Sequence, residues 1–189
     1  MSNVFEPDVL QRIVQGAIDL PREDAMDRIT WDLHAAYPGH IDTGPRNWIF
    51  NNAGGAMGQL TLLYASLNEY LIFFGTPIGT EGHSGRYRTD VYDVMFDGEM
   101  WCYIEGESER SVYKPGDMAF LGKDLAKGYR VPDRAWMLEY ARGPIYTMLP
   151  FGLADSMVST LDLRSFRRTL QGYAKCVVQS FRRDRLVQS

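Results

Sequence analysis

The chain has 189 residues, 45% of them hydrophobic and 13% aromatic. That is enough for one domain with a sizeable core, and too apolar for wholesale disorder. A formal net charge of −4 argues against a nucleic-acid binder, and two cysteines without a CxxC spacing, Cys102 and Cys176, give no disulfide framework and point to a reducing compartment.

No run approaches the roughly 18–20 apolar residues of a membrane-spanning helix. Glu6, Asp8 and Arg12 interrupt the N-terminus, so neither a transmembrane segment nor a signal peptide is expected, and the expected location is cytoplasmic. The charge is uneven. Residues 160–189 carry seven basic side chains against Asp162 and Asp184, a local +5 that leaves −9 on the rest.

In chain order, Leu10, Ile13, Val14 and Ala17 predict a helix from about Pro7 to Ile18. A second helix starts after Pro21 and runs toward Ala36, with Ile29 and Leu33 inward. Tyr37-Pro38-Gly39 ends it. Residues 59–74 are apolar almost all round, which predicts a buried helix closed by Gly75 and Pro77.

The rhythm then changes. Short apolar runs at 91–96, 100–104, 111–113, 118–121, 129–131 and 135–140 alternate with turn residues such as Asp97-Gly98 and Lys114-Pro115-Gly116-Asp117. This spacing predicts a β sandwich or barrel. Finally Leu163, Phe166, Leu170, Tyr173, Val177 and Phe181 form one helical stripe with arginines on the other faces. Such a stripe either packs on its own domain or lies on an anionic membrane surface. The expected whole is a single α+β domain.

Three histidines, His34, His40 and His83, make no HxH pair and none follows Gly85, so a histidine metal site in the barrel is not expected. Gly54-Gly55-Ala56-Met57-Gly58 lacks the Lys-Ser/Thr ending of a phosphate loop, and close backbone packing explains its glycines better. His83-Ser84 near Asp90 has no GxSxG elbow to make it a hydrolytic triad.

The carboxylates say more. In a strand over 135–141, Met137, Glu139 and Ala141 share one face, and Trp136, Leu138 and Tyr140 the other. Both faces are otherwise apolar, so burial should raise the Glu139 pKa. In the run 90–96, Asp93 shares a face with Val91 and Met95, while Asp90 lies opposite with Tyr92 and Val94. Either aspartate is a candidate second acid. Two carboxylates in a dry pocket cannot both ionise cheaply. The arrangement suits proton delivery and removal on an apolar substrate, or capture of a cationic amine. The alternative is that each carboxylate is tied to an arginine or to backbone.

The stretch Trp48-Ile49-Phe50-Asn51-Asn52-Ala53-Gly54-Gly55-Ala56-Met57-Gly58-Gln59 resembles the family of the fungal C-8 sterol isomerase and the sigma non-opioid receptor. So do Ser66-Leu67-Asn68-Glu69-Tyr70 with Phe74-Gly75-Thr76, and Gly79-Thr80-Glu81-Gly82-His83-Ser84-Gly85. Trp136-Met137-Leu138-Glu139-Tyr140-Ala141-Arg142-Gly143, Met148-Leu149-Pro150-Phe151-Gly152 and Ser159-Thr160-Leu161-Asp162-Leu163 continue it, collinear from about Arg22 to Arg182.

The resemblance implies a cupin-like β barrel over 76–143 around an apolar pocket, a helical N-terminal part over 1–75, and two C-terminal helices over 144–189 that cover the mouth and face a membrane. It implies a homotrimer and no metal. The family's pocket glutamate falls on Glu139, its partner aspartate on Asp93, and the tyrosine that bonds the glutamate on Tyr70, beside Glu69. Substrate-lining positions fall on Ile72, Phe74, Tyr87, Val91, Ile145, Leu149 and Tyr173. Asp93 follows the receptor, while the fungal enzymes keep their acids nearer Asp90 and Val91, so Asp90 is the substitute candidate. Ala56 follows the fungal enzymes, where the receptor has a tryptophan.

The expected function is a cofactor-independent isomerase that shifts a C=C bond in a sterol or polycyclic terpenoid, by protonation, carbocation formation and deprotonation. Glu139 would be the principal acid/base and Asp93 its partner. A terpenoid cyclisation could use the same chemistry. The alternative is a non-catalytic binder of cationic amphiphiles or sterols, with Glu139 pairing the amine. Both readings expect a small apolar ligand, a homo-oligomer and contact with a membrane surface.

Overall fold

Helix α1 (Pro7–Gln15) opens with a proline in its first turn, where the missing N–H costs nothing, and buries Leu10 and Val14. Helix α2 (Arg22–Ala36) buries Ala25, Met26, Ile29 and Leu33. Both begin where the spacing predicted them, and α1 ends at Gln15, before the expected Ile18, with Gly16 as its C-cap. The computed structural model describes residues 3–187, with the side chains at 149, 152, 153, 156 and 182–187 outside the description.

The next stretch departs from expectation. Residues 59–74 are not a helix, and the helical N-terminal part ends at α2. After β1 (Ile49–Ala53), they are divided between β2 (Ala56–Ala65) and β3 (Glu69–Thr76), which pair antiparallel. A segment buried on both faces carries no period to tell helix from strand. The reversal lies at Ser66. Its N–H donates to the Glu69 carbonyl, and its Oγ accepts from the Glu69 N–H.

The glycines between β1 and β2 do what close packing required. Gly54 and Gly55 have φ of +62° and +84°, as a two-residue hairpin turn demands. A Cβ on Gly54 would stand 2.0 Å from the His83 carbonyl oxygen.

Strand β4 (Thr80–His83), Thr-Glu-Gly-His, has no apolar run to announce it; the strands after it fall where the short apolar runs predicted: β5 (Asp90–Gly98), β6 (Met100–Ile104), β7 (Ser111–Tyr113), β8 (Met118–Leu121), β9 (Lys127–Val131) and β10 (Ala135–Arg142). They form a six-stranded sheet, β1-β2-β3-β10-β5-β8, and a four-stranded sheet, β4-β9-β6-β7. The class is α+β, as expected, but the two sheets face each other without closing into a hydrogen-bonded barrel. The chain crosses between them at Gly79, Gly85 and Gly98, with φ of +80°, +84° and +75°, and the ladder breaks at each corner.

One face of the larger sheet packs under α1 and α2, where Leu10, Val14, Met26 and Ile29 meet Leu71, Phe73, Val94 and Leu138. Burying one such side chain is worth about 1.5–3 kcal/mol. The other face looks toward the smaller sheet, with Ile72, Phe74, Met95 and Met137 opposite Met100, Cys102 and Val131.

A 3-10 turn (Ile145–Thr147) leads to α3 (Leu149–Thr160) and α4 (Leu163–Val187). Helix α3 sits on the β1–β2 hairpin. Asn52 Nδ2 donates to Ser159 Oγ at 2.7 Å, and the Gly55 N–H donates to Asp155 at 3.2 Å. Helix α4 lies across the sheet, where Tyr173 Oη donates to the Ser66 carbonyl at 2.7 Å. Val158, Leu161 and Leu163 are exposed at the junction of the two helices. Among the described residues no helix is long and apolar enough to cross a membrane. The Arg182, Arg183 and Arg185 side chains of the basic tail lie outside the described residues.

Candidate active site

Strand β10 runs through the larger sheet with β3 on one side and β5 on the other. Its ladder is satisfied on both edges, so its side chains are held in fixed alternation. Trp136, Leu138 and Tyr140 enter the core beneath the N-terminal helices. Met137 and Glu139 turn the other way and line a cavity of about 200 Å³ between the two sheets. On β5 the register places Asp93 directly opposite Glu139. Cross-strand partners on one face have Cβ atoms about 4.5–5.5 Å apart, so two carboxyl groups are forced together inside the fold.

Three neighbours share that corner. Tyr70, on β3 and on the cavity face, donates its hydroxyl to Glu139 Oε1. Lys127, at the start of β9 in the facing sheet, sets Nζ 2.5 Å from Asp93 Oδ2. Both members of that ion pair are buried. Tyr129 also lines the cavity, two residues along the same strand face as Lys127.

The charges follow from the geometry. Burial, and next the Asp93 carboxylate, push the Glu139 pKa from 4.5 up to about 7, against the Tyr70 hydrogen bond and the Lys127 ammonium. For Lys127, burial works against the charged form, but the attraction of Asp93 wins and its pKa stands above the ordinary lysine value. Burial and the nearby Glu139 raise the phenols of Tyr70, Tyr87 and Tyr129, which stay protonated as donors.

The rest of the wall is apolar, with Leu60, Leu62, Ile72, Phe74 and Val91 among its members. At the mouth stand Tyr87, Ile145 and Met148, with Phe166 and Tyr173 of α4 above them. The site therefore offers one carboxyl poised to exchange a proton near neutrality, one carboxylate paired to an ammonium, and phenolic rings around an apolar chamber. Among the described residues, no three His, Cys, Asp or Glu side chains are grouped to hold a metal ion.

Of the residues singled out from the sequence, Glu139, Asp93, Tyr70, Ile72, Phe74, Tyr87, Val91, Ile145 and Tyr173 line this cavity together. Two do not. Asp90 lies on the opposite face of β5, where Oδ2 accepts from Arg142 Nε at 3.4 Å and Oδ1 from the Lys123 N–H at 3.2 Å. Glu69 lies on the opposite face of β3, buried beneath the N-terminus, accepting from the Val4 N–H at 2.8 Å and from Tyr140 Oη at 2.9 Å. The two-residue period of a strand explains both: Asp90 is three residues from Asp93, and Glu69 one from Tyr70. The Leu149 side chain lies outside the described residues.

Lys127 was missed. The apolar run begins only at Tyr129, but β9 begins two residues earlier, and its alternation puts Lys127 on the face of Tyr129 and Val131.

A family model described as "ERG2 and Sigma1 receptor like protein" matches residues 1–185. A Dictyostelium discoideum protein named "Protein erg2 homolog" is 43% identical over 159 residues, 84% of this chain and 68% of that protein. A C-8 sterol isomerase of Pyricularia oryzae is 50% identical over 122 residues, 65% of this chain and 55% of the enzyme. The sigma non-opioid intracellular receptor 1 of Gallus gallus is 38% identical over 172 residues, 90% of this chain and 78% of the receptor. The chain thus spans about half to three quarters of the length of these relatives. Among solved structures, an RmlC-like cupin from Shewanella frigidimarina is similar at a TM-score of 0.46 and 19% identity, over 56% of this chain and 90% of that one.

Proposed function

The chain belongs to the family of ERG2 and sigma-1 receptor-like proteins, and from that premise we propose that it is a cofactor-independent isomerase acting on a C=C bond of a sterol or polycyclic terpenoid. The observation that carries the reading is the placement of Glu139: a carboxyl whose pKa is raised to about 7, facing an apolar cavity, with a second carboxylate as its cross-strand partner. Relatives named C-8 sterol isomerase support the substrate class.

In the proposed reaction the Glu139 O–H bond breaks, and its proton forms a new C–H bond at one alkene carbon. The other alkene carbon becomes a tertiary cation. The Glu139 carboxylate left behind opposes that charge, and the rings of Tyr70, Phe74 and Tyr87 face it. A C–H bond on the far side of the cation then breaks. Its electron pair forms the shifted double bond, and its proton goes to a carboxylate of the Glu139–Asp93 pair. No electron is gained or lost overall. If the cation were attacked by a second alkene before losing a proton, the same groups would start a cyclisation.

A second reading has its own support. A protonated amine resembles the cation, so the same carboxyl pair suits a binder of cationic amphiphiles, and the receptor-named relative is 38% identical. By the same resemblance the proposal includes assembly as a homotrimer and contact of α3 and α4 with a membrane surface.

Turnover in deuterated buffer tests the enzyme reading. Purified protein and a Glu139→Gln variant are incubated with Δ8 sterols and polycyclic terpenoid alkenes, and products are read by mass spectrometry. The expected result is a shifted double bond carrying solvent deuterium, with the variant at least about 100-fold slower, the usual loss of a general acid. No turnover on any substrate, together with Glu139-dependent binding of cationic amphiphiles, would replace the isomerase with the binder.

A further inference from the structure

A pair of facing carboxylates has two ways to carry one proton, and the neighbours decide between them. Where nothing else is charged, the two groups share it, and the site carries one net negative charge. Here the second carboxylate is not free to share. Lys127 reaches across from the opposite sheet, its side chain and that of Asp93 only 8% and 6% exposed, and closes an ion pair at 2.5 Å. Its strand fixes it there, since Ser84 Oγ accepts from the Lys127 N–H at 2.9 Å and the Lys127 carbonyl accepts from the Ser84 N–H at 2.9 Å.

We propose that Lys127 is the positioning residue of the site: its ammonium claims the Asp93 carboxylate, leaves Glu139 as the single proton carrier, and gives the empty pocket zero net charge, so that the ligand it admits in the ground state is an uncharged alkene. This deepens the proton-transfer reading and rests on it. The charge count explains the benefit. Protonated Glu139, Asp93 carboxylate and Lys127 ammonium sum to zero. After proton transfer the Glu139 carboxylate and the substrate cation also cancel, so no uncompensated charge is buried at any step.

The groups facing this cluster leave the assignment to Lys127. Glu139 is faced by Asp93 from β5, Tyr70 from β3 and the phenols of Tyr87 and Tyr129. Lys127 is faced by Asp93, Glu139 and the Cys102 thiol of β6, whose pKa is pushed up to about 11 by burial. His83 and Tyr173 complete the titratable lining. Lys127 is the lysine or arginine among the cavity's lining residues.

The test reads Glu139 directly by carbon-13 NMR titration of side-chain carboxyl-labelled protein, so it does not need turnover. In Lys127→Met the Glu139 midpoint should move up, by about 1 pH unit or more, the direction expected on losing a nearby opposite charge. Lys127→Arg should hold it near the wild-type value. Removing one partner of a buried ion pair can prevent folding, so the comparison is repeated on a background without the second carboxylate. Asp93→Asn should lower the midpoint, and Asp93→Asn/Lys127→Met should return it upward.

Dodecyltrimethylammonium, which cannot lose its charge, should bind Lys127→Met at least about tenfold more tightly than wild type, one unit on the same scale. Equal midpoints in Asp93→Asn and the double variant, or equal binding of the quaternary amphiphile to wild type and Lys127→Met, would overturn the assignment. A shifted midpoint in a protein that turns over no alkene would keep Lys127 in this role and remove the isomerase reading instead.

Discussion

Glu139 illustrates how strand geometry sets an acid's strength. Burial and the Asp93 carboxylate raise it, the Tyr70 hydroxyl and Lys127 ammonium pull it back, and the balance falls at about 7. An acid that must be protonated to act gives turnover that declines as the pH rises through that value, and an assay across the range should show the loss on the alkaline side. The same group makes stability depend on pH. Its folded pKa lies above its ordinary 4.5, so the folded state binds more protons between about 4.5 and 7, and stability falls as the pH rises through that window. Chemical denaturation at several pH values should show wild type losing stability across it relative to Glu139→Gln, which has no such charge to bury. Much of this was legible from the residues alone. Alternation along 135–141 turns Glu139 away from Trp136 and Tyr140, and alternation along 90–96 separates Asp93 from Asp90. The cation was not legible, because a lysine flanked by Ala126 and Gly128 reads as a loop residue until β9 is known to begin there.

At the scale of elements, the β1–β2 hairpin depends on one glycine in two ways. Gly54 needs a positive φ, and its missing side chain lets the His83 carbonyl of β4 approach. Gly54→Ala should therefore cost about 1–3 kcal/mol from strain and overpacking together, read as a lower denaturation midpoint with an unchanged denaturant slope. Hydrophobicity alone could not find this region's strands. From Gln59 to Phe74 nearly every face is apolar, because β2 and β3 are covered from both sides, and only the Ser66–Glu69 turn marks the reversal. The six later strands were legible because each is short and bounded by Gly, Pro or Asp turns. Their division into two sheets that do not close into a barrel was not. Corners at Gly79, Gly85 and Gly98 read equally well as turns within a ladder or as crossings between two sheets.

The whole molecule divides its charge as its fold divides its layers. The acidic body holds the pocket, and the basic residues gather on α4, where Arg164, Arg167 and Lys175 are exposed beside apolar Leu163, Val178 and Phe181. Under the proposed membrane contact, the protein should co-sediment with vesicles containing anionic lipid and less with neutral ones, and added salt should release it. Equal partitioning onto both would assign the contact to the apolar side chains and not to the basic ones, and none onto either would remove the membrane contact. The two faces of β10 carry a different kind of consequence. Because cavity and core residues alternate one by one along Ala135–Arg142, losing a single codon there would exchange the two sets beyond the deletion, setting Tyr140 where Glu139 belongs. Substitutions at Met137, or at Ile72 and Phe74 on the neighbouring strand, would reshape only the chamber. Natural variation in what this protein accepts should therefore accumulate as point changes on the inward-facing residues, while the length of this strand stays invariant among descendants that still fold.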